Sequence, residues 1–174
     1  MSQLENNQIA EPQIVEFGPY RVIGMRYAGK NENAEIKAMW DGENGFLSRM
    51  SEIDTTSGEC MSFGLCRCIP GVTDGSFEYI AALPANPDAL VPEGMVEASI
   101  GAATYAVFTV PSLGEISQVW TESMAWLAAH PNWDGYCNET ACECADYPGF
   151  ELYPADFGVT GKLFLYMPVR PKAN

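Results

Sequence analysis

At 174 residues, with 47% hydrophobic residues and a mean hydropathy of −0.08, the chain reads as one globular domain rather than a disordered segment. Nine basic against 23 acidic residues give a net charge of −14, which repels phosphate backbones and disfavours direct nucleic-acid binding. No apolar run approaches the ~20 residues that span a bilayer, and the acidic start, Met1 to Asn7, lacks the basic and apolar regions of a signal peptide; a cytoplasmic location without membrane contact is expected.

Residues 1–11 read as a disordered leader. Strand propensity begins after Pro12 with Ile14-Val15-Glu16-Phe17, breaks at Gly18-Pro19 and resumes from Tyr20 to Tyr27. After a loop at 29–33, the period of Ile36, Met39, Trp40, Leu47 and Met50 predicts a helix from about Ala34 to Ile53, weakened and kinked at Gly42 and Gly45. Ser62 to Ile69 and Phe77 to Leu83 read as paired strands joined by turns at Pro70-Gly71 and Asp74-Gly75. The proline-rich stretch 84–93 is a connector. Met95 to Ile100 and Thr104 to Val110 are strands. Ile116, Val119, Trp120, Ser123, Met124 and Leu127 form the stripe of a second helix that stops at His130-Pro131. A loop with Trp133, Tyr136 and Tyr147 leads to a strand at Phe150 to Tyr153, and a last strand covers Leu163 to Val169.

The chain repeats itself. Glu35-Ile36, Trp40 and Phe46-Leu47 recur 80 positions later as Glu115-Ile116, Trp120 and Trp126-Leu127. A second echo, offset by 73 positions, pairs Phe77-Glu78-Tyr79 with Phe150-Glu151-Leu152-Tyr153. Each half reads strand, helix, strand, strand: one α+β domain of two duplicated β-α-β-β units about a pseudo-twofold axis, repeat 1 at about 12–83 and repeat 2 at about 94–171. An antiparallel sheet would carry both helices on one face and leave a ligand cleft on the other.

Strand alternation places Phe150 and Leu152 on one face and Glu151 and Tyr153 on the other. With the apolar pair against the helices, Glu151 would reach the open face beside a phenol. A carboxylate among aromatic rings suits an organic cation, since Coulomb attraction grows as water is excluded and each ring adds roughly 0.5–2 kcal/mol of cation–π attraction. In the first half, Glu78 and Tyr79 face apart. Glu78 is either a second carboxylate at the seam or a solvated strand residue.

The six cysteines fall three to each half: Cys60, Cys66 and Cys68, then Cys137, Cys142 and Cys144. Zinc ribbons favour C-x2-C knuckles, His130 is the one histidine, and a cytosolic setting disfavours structural disulfides. Buried free thiols are expected, with no metal and no cofactor. His130 reads as a helix cap.

Phe150-Glu151-Leu152-Tyr153, shortly before a strand ending Met167-Pro168-Val169, resembles the F-E-x-Y … I-P-[VL] ending of the GyrI-like superfamily, the effector-binding domains of AraC-type and multidrug-responsive activators. Ile23-Gly24-Met25-Arg26-Tyr27-Ala28-Gly29 resembles that family's V-x-G-x-x-x-x-G opening, and Trp120 with Trp126-Leu127 falls where the family has its Y/W … W-L helix. The resemblance covers about Pro12 to Pro171. It implies a duplicated β-α-β-β fold and a cleft in which Glu151 is the central acid, with Tyr153, Tyr105, Tyr166 and Trp133 as surrounding aromatics. Only about eleven residues precede the module, which leads to the expectation of a stand-alone member similar to integron-cassette proteins that bind cationic drugs. The expected partner is a small aromatic cation, with a separate DNA-binding protein or a homodimer as further possibilities. Two alternatives remain open. One is a GyrI-like hydrolase of electrophilic compounds, with Glu151 activating water and Tyr153 assisting. The other is a gyrase-inhibitor-like protein–protein module.

Overall fold

The computed structural model of the chain describes residues 10–55, 60–137 and 142–173; most of the expected leader lies outside them. Among these residues, nine strands join in one antiparallel sheet. They are β1 (Gln13–Phe17), β2 (Tyr20–Gly29), β3 (Ser62–Cys68), β4 (Phe77–Pro84), β5 (Val96–Ile100), β6 (Ala103–Val110), β7 (Trp133–Gly135), β8 (Gly149–Tyr153) and β9 (Leu163–Pro171). The helices are α1 (Glu35–Asp41), α2 (Phe46–Arg49), α3 (Ile116–Ala129) and α4 (Phe157–Thr160). The strands follow the sequence pattern to within a residue or two; β7 and α4 fall where only loop was expected.

The strand order, β1-β6-β9-β8-β3-β4-β2-β5, is a palindrome of the two repeats. β2, β3 and β4 with α1 and α2 answer β6, β8 and β9 with α3, and the pseudo-twofold axis runs between β3 and β8. The edge strands are exchanged: β1 pairs with β6 of the second unit, and β5 pairs with β2 of the first. Each unit therefore completes the sheet of the other. This topology corrects the second sequence echo. Phe77-Glu78-Tyr79 lies on β4, whose counterpart is β9, whereas Phe150 to Tyr153 lies on β8, whose counterpart is β3.

All helix packing is on one face, in two patches. Trp40, Ile36 and Phe46 cover Ile23, Tyr79 and Ala81; Ile116, Val119 and Trp126 cover Ala106, Phe108 and Leu165. The opposite face is not left open. Phe17 on β1 packs on Phe63 of β3 with ring centroids 6.3 Å apart, although four strand spacings of a flat sheet would separate them by about 19 Å. The sheet curls until its two ends meet, and that face becomes an aromatic core around Phe63, Tyr105 and Phe150, each 0% exposed.

The predicted long helix of the first unit is two short ones. Gly42 adopts an extended conformation and Asn44 has φ 60°, so the chain leaves helical geometry between α1 and α2. The backbone N–H of Gly42 closes the last turn on the Ala38 carbonyl at 2.9 Å. The second unit carries Glu122 and Ala125 where the first has Gly42 and Gly45, and α3 runs unbroken for 14 residues.

Candidate functional site

Glu151 sits on β8 next to the pseudo-twofold axis, directly across from Gly64 on β3. It is 6% exposed. Its Oε2 accepts hydrogen bonds from the hydroxyls of Tyr79 and Tyr153, each at 2.7 Å, and the Trp120 side chain also hydrogen-bonds to it. The Trp40 indole N–H donates to the Tyr79 hydroxyl at 3.0 Å. Among the described residues no Lys, Arg or His pairs with this carboxylate. Burial pushes its pKa above the ordinary carboxylate value, opposed by the three hydrogen bonds. Burial, with the Glu151 charge second, raises the Tyr79 and Tyr153 hydroxyls and the Cys66 thiol. All three stay neutral donors or bystanders at neutral pH.

Gly64 makes the arrangement possible. A Cβ there would stand 2.0 Å from the Tyr79 hydroxyl and 2.7 Å from Glu151 Oε2. Its missing side chain leaves the space through which Tyr79 reaches from β4, across β3, to β8.

Strand parity holds, because Glu151 and Tyr153 share a face and one hydrogen-bonded oxygen. The direction of that face is corrected. Phe150 and Leu152 point into the helix-free aromatic core, so Glu151 and Tyr153 point toward the helices, between α1 and α3. Tyr105 and Tyr166 belong to the opposite face and are not brought to Glu151. Tyr105 is fully buried and donates to the Gly101 carbonyl at 3.2 Å; Tyr166 stacks on Phe150 at 4.8 Å between centroids. Trp133 is on the helix side, but it pairs with Pro171, whereas Glu151 pairs with Leu165, about 20 Å back along β9. Glu78 is neither a cleft carboxylate nor a solvated one: Arg26 and Arg67 both pair with it on the face away from Tyr79 and hold it below the usual carboxylate range against the effect of burial.

Tyr79, Trp40 and Trp120 were missed as site residues. The tryptophans carried a signal, since they are the aromatic members of the repeat, and both copies end on the same hydrogen-bonded group. Tyr79 carried none, because its role depends on cross-strand register and on Gly64.

An apolar groove of about 350 Å³ runs beside this group. Trp120, Met124 and Leu127 of α3 form one wall, and Cys66, Gly149 and Met167 lie on the sheet side. Glu151 does not line it; Trp120 belongs to both. Cys68, Cys137, Cys142 and Cys144 also line the groove, and they gather with all sulfurs within 4.8 Å of one another. Cys68, Cys137 and Cys142 are exposed, so the expectation of buried free thiols fails for them. Cys66 is buried only in part and Cys60 is exposed; both stand apart from the cluster.

The duplicated unit, the exchanged edge strands and an acid between two helices define a GyrI-like effector-binding domain. A family model described as Cass2, integron-associated effector binding protein, matches residues 13–169, and the chain belongs to that family. It is 35% identical over 97 residues to the transcriptional regulator BrlR of Pseudomonas aeruginosa, an alignment covering 56% of the chain but only 34% of the regulator. Its fold is similar to that of SAV2435 bound to tetraphenylphosphonium, with a TM-score of 0.64 and 16% identity over 92% of this chain and 94% of that one. It is also similar to the Vibrio cholerae integron cassette protein Cass2, with a TM-score of 0.55 and 16% identity over 92% and 97% of the two chains. No helix among the described residues is long and apolar enough to cross a membrane.

Proposed function

We propose that the chain binds a lipophilic aromatic cation in the groove beside α3, with Glu151 as the counter-charge. The observation that carries this reading is a 6% exposed carboxylate held by neutral donors alone. A buried anion without a cation is costly, by several kcal/mol. A cationic ligand that displaces Trp120 toward solvent supplies the missing charge, while Trp40, Trp120, Tyr79 and Tyr153 offer π-faces around it. Displacement is needed because the two indoles and two phenols close over Glu151 in the ligand-free state. With a few hundred Å² of apolar area buried at about 25 cal/mol per Å², less the cost of immobilisation, a micromolar dissociation constant is expected, near −8 kcal/mol. The kinship with part of a regulator extends the proposal to an effector module whose DNA contact is made elsewhere, in keeping with the acidic charge.

The test uses two ions of one shape and opposite sign, tetraphenylphosphonium and tetraphenylborate, titrated by calorimetry. The phosphonium should bind and the borate should not. Glu151→Gln should cost the phosphonium ten- to a hundredfold, the scale of a charge-assisted contact. Equal binding of both ions, or an unchanged affinity in the variant, would overturn the reading.

A further inference from the structure

The cysteine cluster lines the same groove, has no part in the charge pairing proposed for Glu151, and has its own geometry. Cys68 ends β3, and Cys137, Cys142 and Cys144 come from the segment between β7 and β8. The Cys142 sulfur stands in bonding contact with both the Cys68 and the Cys137 sulfurs. A sulfur forms one disulfide, so pairwise oxidation does not account for three sulfurs gathered on one point. The backbone spacings agree. The Cα atoms of Cys68 and Cys142 are 7.5 Å apart and those of Cys137 and Cys142 are 4.0 Å apart, both outside the usual disulfide window of about 4.4–6.8 Å. The fourth sulfur, of Cys144, is 2.8 Å from that of Cys68 and accepts the Cys68 backbone N–H at 3.2 Å. An N–H aimed at sulfur favours a thiolate, the form that ligates metal.

We propose that Cys68, Cys137, Cys142 and Cys144 form a tetrathiolate site for a zinc ion. Four thiolates at about 2.3 Å from a tetrahedral zinc stand about 3.8 Å apart, which the present gathering, with every sulfur within 4.8 Å of the others, reaches by small side-chain rotations. On binding, four S–H bonds release four protons and four Zn–S bonds form, leaving the site at a charge of −2. Arg67, paired with Glu78, reaches the Ala145 carbonyl, and Arg170 is paired with Glu143, so both arginines tie the segment to the sheet. With all four positions filled by protein the site is closed, and its role is structural. It ties the β7–β8 segment to the end of β3. Tyr136 and Tyr147 of that segment line the groove, so the metal fixes one end of the ligand-binding surface.

The test is cobalt substitution of the full chain, reduced and stripped of metal. One equivalent of Co²⁺ should give the intense sulfur-to-metal charge-transfer band and the visible d–d bands of tetrahedral thiolate cobalt, and Zn²⁺ should bleach them. Metal analysis of protein purified under reducing conditions should find zinc near one per chain. Cys142→Ser and Cys144→Ser should weaken or distort the bands, while Cys60→Ser and Cys66→Ser leave them unchanged. Zinc should raise the melting temperature of the wild type and raise it less in Cys142→Ser, by mass action on the folded state. A featureless cobalt spectrum in folded wild type would overturn the site, as would bands that survive Cys142→Ser at full strength or persist unless Cys66 is removed. Glu151→Gln should weaken tetraphenylphosphonium binding and leave the cobalt bands unchanged, which separates the two sites.

Discussion

The two helical covers over Glu151 descend from one motif and are built differently. α3 is a continuous helix of 14 residues that buries Val119, Ser123 and Trp126. α1 is half that length and buries no residue fully; it begins at Ala34, in the left-handed region at φ 57°, without a side-chain cap. Two glycines explain the break, and the break explains the loose packing: a seven-residue helix has too few turns to keep a stripe on the sheet and must hand its last apolar position, Phe46, to α2. Yet both covers deliver an indole to the same group, Trp120 to Glu151 and Trp40 to Tyr79. The fold thus pairs a continuous wall with a divided one around a single acid.

The sharpest test of this contrast compares the buried indole of α3 with the half-buried indole of α1. Trp126 is 9% exposed and locks α3 onto Phe108 at 5.7 Å between ring centroids. Trp126→Ala should destabilise the fold by about 3–5 kcal/mol, the usual cost of emptying a large buried aromatic site. Trp40→Ala, on a half-buried residue of a helix without a buried anchor, should cost about 1–2 kcal/mol. Urea denaturation gives both values, and equal costs would remove the distinction between the covers. A second change strikes both covers at once, because it lies on the axis between them. Gly64→Ala places a methyl into the Tyr79 hydroxyl and Glu151. About 2–3 kcal/mol should be lost to overpacking, and the phosphonium affinity should fall with it, since Tyr79 can no longer reach Glu151.

A milder change converts one cover into the other. Glu122→Gly with Ala125→Gly gives α3 the glycines of the first unit at the same repeat positions. The pair should cost about 1.5 kcal/mol by helix propensity and lower the helical circular-dichroism signal. A loss much below this would mean that tertiary packing, rather than the glycines, sets helix length.

Much of this was legible in the chain. The Glu-Ile … Trp … aromatic-Leu repeat located both covers, and strand alternation put Glu151 with Tyr153. What failed was the assignment of faces. The rule that apolar strand residues lie under helices assumes one buried face, but a sheet that curls until β1 reaches β3 has two, and Phe150 and Tyr105 chose the one without helices. Alternation fixes which residues agree with each other and is silent on which side each set looks toward. Tyr79 escaped for a similar reason. Its hydroxyl meets Glu151 only because β3 lies between β4 and β8 and offers Gly64 at the crossing point, a fact of register between segments far apart in sequence. The cysteines escaped because three ligands from one loop and one from a strand end match no compact knuckle spacing.

The smallest expected effect has the most informative sign. Burial raises the Glu151 pKa above its ordinary value of 4.5, so the folded chain holds that proton more tightly than the unfolded one. The linked stability is fully present below the unfolded pKa and is lost as pH rises through the higher folded pKa. Above that folded pKa the ionised carboxylate is therefore a burden on the ligand-free fold. Glu151→Gln removes the charge and keeps an acceptor oxygen for the tyrosines, and it should stabilise the ligand-free protein by about 1 kcal/mol at neutral pH. That advantage should shrink on acidification as the wild type takes up its proton. Phosphonium affinity should move the other way, falling in the wild type as pH drops toward and below the raised pKa while remaining weak and flat in the variant. Thermal melts and titrations across the acidic range read both curves. A variant less stable than the wild type at neutral pH would mean that the carboxylate is held for the fold's own sake, by its tyrosine and indole donors, and not kept in readiness for a cation.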